Sequence, residues 1–151
     1  MTSVWTREDA SRIDPRPENR ISEITRPRRS DLDRNRVYWD MWPIQDRDGW
    51  IADCRGRELW MALTAPDRGD PSLRHFEAKI RLLERKPDGW TDLGDVLPDR
   101  AVPYEREWAG SAVTDGTTVS LYFTAAGTAE KPGGYQQALY ETHARMREDG
   151  L

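Results

Sequence analysis

Two short segments place a carboxylate beside tryptophan, the combination that a sugar-binding pocket needs. In the first, Asp40 lies between Trp39 and Trp42; in the second, Glu107 precedes Trp108. An aromatic face packs on the C–H surface of a sugar ring, while carboxylates accept hydrogen bonds from its hydroxyls or attack its anomeric carbon. Retaining glycosidases use two carboxyl groups about 5 Å apart, one as nucleophile and the other as acid/base. Asp40 is the better nucleophile candidate, although a turn acid beside core aromatics is the commoner origin of such a pattern.

The composition is polar for a chain that must build its own core. Of 151 residues, 33% are charged and 36% hydrophobic, and the mean hydropathy is -0.88. The length fits one domain or part of a larger one, and the polarity indicates a long solvated segment or a missing protein partner. The net charge is -4, with arginines interleaved among acids. We therefore expect neither nucleic acid nor a membrane surface as a partner.

The sequence offers few metal or nucleophile sites of the usual kinds. Cys54 is the single cysteine, and His75 and His143 are the two histidines. This excludes a disulfide framework within the chain and argues against a zinc site or a histidine-based triad, so we expect no cofactor and no metal. The N-terminus lacks the apolar region of a secretory signal peptide, which predicts a cytoplasmic protein or one exported by another route.

The arrangement of elements predicts an all-β protein. Residues 1–36 are rich in Pro, Arg and Asp and suggest an extended arm with one short helix over Thr6–Ile13; residues 37–151 follow as a second unit. In that unit, alternating patterns and turn signals predict strands, with Tyr135–Arg147 as a strand followed by a helix. The other predicted strands are Arg57–Ala65, Phe76–Arg85, Trp90–Leu97, Ser111–Val113 and Thr117–Ala125, the last two joined by a hairpin at Asp115-Gly116.

The same order of features occurs twice along the chain. Trp39–Ile44 can be aligned with Trp108–Val113, and each segment leads through an Asp-Gly turn to an apolar strand ending in Thr-Ala. Repeated antiparallel units are typical of β-propellers, in which the innermost strand of each blade lines a central channel. If both segments are innermost strands, Asp40 and Trp108 face one axial pocket.

Tyr38–Gly49 (YWDMWPIQDRDG) and Arg106–Ala112 (REWAGSA) together resemble glycoside hydrolase family 68, which contains levansucrases, inulosucrases and bacterial β-fructofuranosidases. The resemblance extends to the N-terminal VWTREDASRI. It implies a five-bladed β-propeller in which Asp40 matches the nucleophile and Trp39 and Trp108 match walls of the fructose subsite. Ala109 stands where several members have a serine that hydrogen-bonds the nucleophile.

Arg106 and Glu107 belong to the second matching motif, and we regard both as candidate substrate contacts. A mutual ion pair that supports the Trp108 segment is the alternative for these two residues. We expect Trp42 to support the strand rather than to touch sugar.

The sequence lacks two parts of the family pattern: the Arg-Asp-Pro motif with its transition-state Asp, and the later acid/base Glu. The leading hypothesis is a subunit of a split, retaining β-fructosyltransferase or β-fructofuranosidase acting on sucrose or a fructosyl oligosaccharide. A second polypeptide would then supply the remaining blades and both carboxylates. A non-catalytic carbohydrate-binding or scaffold remnant is the alternative, and a fragment of a longer enzyme is a third explanation.

Overall fold

The computed structural model describes residues 6–12, 16, 32–128 and 133–147. In this part of the chain the main elements are β-strands, accompanied by a short helix α1 (Arg7–Ser11) and a 3-10 turn (Leu73–Phe76). The strands are β1 (Arg36–Gln45), β2 (Glu58–Pro66), β3 (Lys79–Lys86), β4 (Gly89–Asp95), β5 (Arg106–Thr114), β6 (Thr118–Ala126) and β7 (Gln137–Arg145).

The strands form two antiparallel units that meet at their first strands. The hydrogen-bonded order is β4-β3-β2-β1-β5-β6-β7. Within it, β1–β4 are antiparallel neighbours and β5–β7 are antiparallel neighbours, and we call these two units the first and the second sheet. β1 and β5 pair in parallel, with Ile44 opposite Ala112 and Gln45 opposite Val113. This confirms the expectation of an all-β chain built of repeated antiparallel units, each of which begins with one of the two aligned segments.

One hydrophobic core lies between the two sheets. β6 alternates between buried and less buried residues and contributes Leu121 and Phe123, whereas β2 is buried on both faces over Met61–Ala65. Leu59, Met61 and Leu63 of β2 join Leu121 and Phe123 in one continuous cluster with Ile44 and Ala112 from the paired first strands. Burial of these apolar side chains between the strands stabilises both sheets.

The predicted hairpin between β5 and β6 is confirmed. The Asp115 carboxylate accepts hydrogen bonds from the backbone N–H groups of Thr117 and Thr118, at 2.9 and 2.8 Å. Gly116 has a φ of +90°, a left-handed conformation that glycine adopts without steric cost.

Three predicted elements differ from the structure. β3 begins at Lys79, because Leu73–Phe76 forms a 3-10 turn, so Phe76 is not its first inward residue. The helix predicted near the end of Tyr135–Arg147 is wrong: β7 pairs with β6 from Gln137 to Arg145, and this long-range pairing overrides the local pattern. The N-terminal helix forms over Arg7–Ser11, a shorter span than predicted, and most of the proposed arm lies outside the described residues.

Candidate active site

Asp40 sits at a β-bulge in the middle of β1. Trp39 lies opposite Leu63 and Trp42 opposite Met61, so Asp40 and Met41 together face a single residue of β2. Asp40 has a φ of +47°, a left-handed conformation in which Asp is one of the few tolerated non-glycine residues. Its side chain is exposed. Bulges re-aim side chains and are over-represented next to active sites. The bulge therefore presents a carboxylate that a regular strand would direct elsewhere.

β5 carries a bulge at the matching place. Trp108 pairs with Thr124 and Gly110 with Phe123, which leaves Ala109 as the extra residue. A Cβ on Gly110 would lie 1.8 Å from the carbonyl oxygen of Tyr122, so only glycine fits there. The aligned repeat thus extends to backbone detail, with a bulge directly after Trp39 in one strand and after Trp108 in the next.

Trp39 is held by the turn that precedes β3. The Arg74 guanidinium lies 5.1 Å from the centre of the Trp39 ring, and the His75 ring approaches it edge-on at 6.0 Å. Trp42 packs against the core, as predicted for a supporting residue. Within the described part of the chain, the buried Nε1 atoms of Trp42 and Trp108 have no hydrogen-bond acceptor.

Arg106 is buried in an aromatic cluster rather than open to solvent. Its exposed fraction is 1%, and its guanidinium lies 5.5 Å from the ring centre of Phe76 and 5.7 Å from those of Trp108 and Tyr135. We call these four residues the Arg106 cluster. The guanidinium also donates to the Gly134 carbonyl and, at 3.2 Å, to the Glu105 carboxylate.

The proposed ion pair between Arg106 and Glu107 is therefore replaced by a pair with Glu105. Successive residues of a strand point to opposite faces, which separates the Arg106 and Glu107 side chains.

Glu107 fastens the second sheet to the first. Its carboxylate is 3% exposed, accepts a hydrogen bond from the Ile80 N–H at 2.7 Å, and pairs with the Lys79 ammonium at 3.0 Å. The Glu107 N–H donates to the Ala78 carbonyl at 2.9 Å. Burial raises the pKa of the Glu107 carboxyl, although the Ile80 amide and Lys79 act in the opposite direction. Its partners are structural groups of β3 and the segment before it.

Sequence reasoning missed Tyr135 and Phe76 as neighbours of the second motif. The sequence predicts that each is the first residue of a strand, in Tyr135–Arg147 and Phe76–Arg85. In the sequence, Tyr135 follows a glycine-rich loop and Phe76 lies in a charged segment. Neither feature reveals that the two segments converge on Arg106. Both contacts depend on how the sheets pack.

Three other findings concern the described residues. None of their His, Cys, Asp and Glu side chains gather in threes that could hold a metal ion. Among the described helices, none has the length and apolar character required to cross a membrane. Cys54 is buried, and burial raises the pKa of its thiol, which disfavours the reactive thiolate.

Comparison with known proteins gives consistent matches. The levansucrase/invertase family, glycoside hydrolase family 68, matches residues 1–150. A levansucrase of Erwinia amylovora is 28% identical over 144 residues, which cover 81% of this chain and 34% of that protein. The levansucrase LscA of Pseudomonas savastanoi pv. glycinea is 25% identical over 141 residues, with the same two coverages.

Solved structures resemble the fold. An inulosucrase from Halalkalicoccus jeotgali bound to kestose superposes with a TM-score of 0.70 and 33% identity, covering 84% of this chain and 32% of that one. Bacillus subtilis levansucrase, at 23% identity, superposes with a TM-score of 0.61 over 73% of this chain and 27% of that one, and shows the fold alone. The chain spans about a third or less of the length of these relatives.

Proposed function

We propose that this chain, which belongs to the levansucrase/invertase family, glycoside hydrolase family 68, supplies the nucleophile of a retaining β-fructosyl transfer enzyme acting on sucrose. The observation that carries the proposal is the exposed Asp40 carboxylate, held in a left-handed bulge directly after Trp39. Residues in such sparsely populated conformations cluster at active sites, although Arg55 and Arg100 adopt a positive φ in loops of this chain as well.

In the proposed reaction, Asp40 attacks the anomeric carbon of the fructosyl unit. The bond from that carbon to the glucose oxygen breaks, and a Glu carboxyl group supplied from outside residues 1–151 protonates the departing oxygen. Water or a sugar hydroxyl then attacks the fructosyl-aspartate ester and releases Asp40, so that two inversions give retention.

Trp39 and Trp108 are the proposed aromatic walls of the fructose subsite, with Ala109 at the rim of the second bulge. Ala109 brings no hydroxyl to the nucleophile, so Asp40 relies on backbone geometry and on groups from elsewhere. We assign Arg106 and Glu107 supporting roles, because both side chains are buried and already have partners.

The remaining catalytic groups are proposed to come from a second polypeptide. The Arg-Asp-Pro motif and a matching late Glu are not found in the sequence. Two features favour an unfilled protein interface. Leu139 on the outer strand β7 is 85% exposed, and Tyr122 on β6, two residues from Thr124, which pairs with Leu139, is also exposed. Large apolar side chains grouped on one sheet face are typical of surfaces that another protein covers.

The competing function is a non-catalytic carbohydrate-binding or scaffold subunit. The missing transition-state Asp and acid/base Glu favour it, since Asp40 alone cannot complete the reaction. In that case the chain binds sugar or protein but does not contribute to turnover in any complex.

Co-expression with the polypeptide encoded beside it tests the two proposals. The complex is isolated by size exclusion, and glucose release from sucrose is measured. The Asp40→Asn complex is expected to assemble normally and to lose at least about a thousand-fold in kcat, because a nucleophile has been removed. The control is Asp48→Asn, an exposed acid in the following turn, which is expected to retain activity. Normal turnover by Asp40→Asn would rule out the nucleophile role.

A further inference from the structure

The Arg106 cluster presents one aromatic ring to solvent in a fixed position. Tyr135 is 65% exposed, and its ring centre lies 6.2 Å from that of Trp108, with the planes inclined at 53°. We infer that Tyr135 is a further sugar-contacting residue, which extends the Trp108 wall to bind a fructosyl oligosaccharide. In this inference Arg106 is the positioning residue that fixes both rings. The class of ligand rests on the proposed function.

The segment around Tyr135 is anchored on both sides although its ring is exposed. On one side, Gly134 accepts a hydrogen bond from Arg106, and the Gly133 N–H donates to Glu105 at 2.9 Å. On the other, Gly127 donates to the Gln136 carbonyl at 3.0 Å. These hydrogen bonds fix the backbone on both sides of Tyr135, so less conformational freedom of this segment is lost when a ligand packs on the exposed ring.

Arginine suits the central position for a physical reason. A buried charge is costly unless it is paired, and here the guanidinium has a carboxylate, a carbonyl and three aromatic rings as partners. Its planar, delocalised cation can stack on rings while it donates in its own plane, which the compact ammonium of lysine cannot do. The side chain therefore sets the relative positions of Trp108 and Tyr135.

An adjacent cleft has room for more than one sugar unit. Its volume is about 1020 Å³, and it shares Phe76, Glu105 and Gly133 with the surroundings of the cluster. Tyr104 and Lys79 also line it, which provides an aromatic surface and a hydrogen-bond donor. Ligand pockets commonly have volumes of about 300–1,000 Å³, and this cleft is of that order. Tyr135 and Trp108 are not among its lining residues, so it is a neighbouring space into which a ligand bound at Tyr135 would extend.

Equilibrium binding tests the inference without turnover. The protein is the full chain carrying Asp40→Asn, together with any subunit that co-purifies with it, and the ligands are kestose and fructose. Calorimetry is expected to show kestose bound about five- to ten-fold more weakly by Tyr135→Ala, the worth of one aromatic contact. Tyr135→Phe should remain within two-fold, since the ring face makes the contact. Trp50→Ala removes a comparably exposed aromatic outside the cluster and should change nothing.

A double-mutant cycle separates positioning from general stability. Arg106→Lys is expected to weaken kestose binding about as much as Tyr135→Ala. The double variant is expected to be no weaker than either single variant, because both remove the same contact. Additive losses would mean that Arg106 affects kestose binding independently of Tyr135, and they would overturn its positioning role.

The outcomes also separate this inference from the proposed chemistry. Unchanged kestose affinity in Tyr135→Ala, or no kestose binding by the parent protein, overturns the inference even if sucrose is cleaved. Tyr135-dependent kestose binding by a complex that never cleaves sucrose supports the inference and removes the proposed catalytic function.

Discussion

Removing the Glu107 carboxylate should loosen the second sheet from the first. Glu107 is the buried group through which β5 contacts the start of β3, by way of the Ile80 N–H and the Lys79 ammonium. Glu107→Ala leaves the Ile80 N–H without that acceptor in the core, where Ile80 is fully buried. It also leaves the half-buried Lys79 without its main anion.

The size of the effect follows from these two losses. A buried donor left unsatisfied costs about 1–3 kcal/mol, and a hydrogen bond to a charged group contributes about 1.5–3 kcal/mol. Glu107→Ala also removes the cost of burying the carboxylate, so the net loss of stability is smaller than the sum of these two contributions. We expect Glu107→Ala to lower the free energy of unfolding by about 2–4 kcal/mol, and Glu107→Gln by about 1 kcal/mol, since its amide oxygen can still accept from Ile80.

Urea denaturation followed by tryptophan fluorescence provides the measurement. With m-values of about 1–3 kcal/mol/M, the midpoint of Glu107→Ala should fall by roughly 1–2 M. The matched control is Glu141→Gln, an exposed acid on β7, which should stay within about 0.5 kcal/mol of the parent. A Glu107→Ala midpoint equal to that of the control would refute the fastening role. If Glu107→Gln instead lost sugar affinity with unchanged stability, Glu107 would be a substrate contact.

Three shorter predictions concern pH and packing. Burial raises the pKa of Glu107 in the folded state, so its protonated carboxyl group favours folding below about pH 4.3. The free energy of unfolding of the parent, relative to that of Glu107→Gln, should therefore fall as pH rises through this raised pKa. A difference between the two proteins that does not change with pH would contradict this. Burial acts to raise the pKa of Asp92, but hydrogen bonds from groups such as Tyr38 and Arg81 lower it overall. The parent should therefore lose stability relative to Asp92→Asn as pH falls below about 4. Urea denaturation of both proteins at several pH values measures this. Gly110→Ala should prevent folding, whereas Gly116→Ala, with open space around it, should cost about 1–2 kcal/mol by thermal unfolding; equal effects would disprove the close approach at Gly110.

The sheet architecture could be predicted because the strands and turns depend on residues that are adjacent in the sequence. The Asp115-Gly116 turn, the apolar run of β2 and the alternation in β3 each depend on a few adjacent residues. The repeat of Trp39 and Trp108 needed no structure either, since both precede the same order of turns and strands. Such features follow from backbone preferences and from the apolar face that each strand buries.

The environment of the site could not be predicted, because it depends on contacts between distant segments. Nothing adjacent to Arg106 reveals that Phe76 and Tyr135 enclose it, or that Glu107 reaches Lys79 across the sheets. The length of β7 is a similar case. Pairing with β6 fixes it as a strand where local pattern also permitted a helix.

Trapping the covalent intermediate tests the central claim most directly. The complex isolated by co-expression is mixed with sucrose, quenched with acid within the first turnovers, digested and analysed by mass spectrometry. We expect one hexosyl unit on the peptide that contains Asp40, and no such adduct in Asp40→Asn. Sucrose cleavage with the adduct on a carboxylate of another polypeptide, or on another acid of this chain, would contradict it.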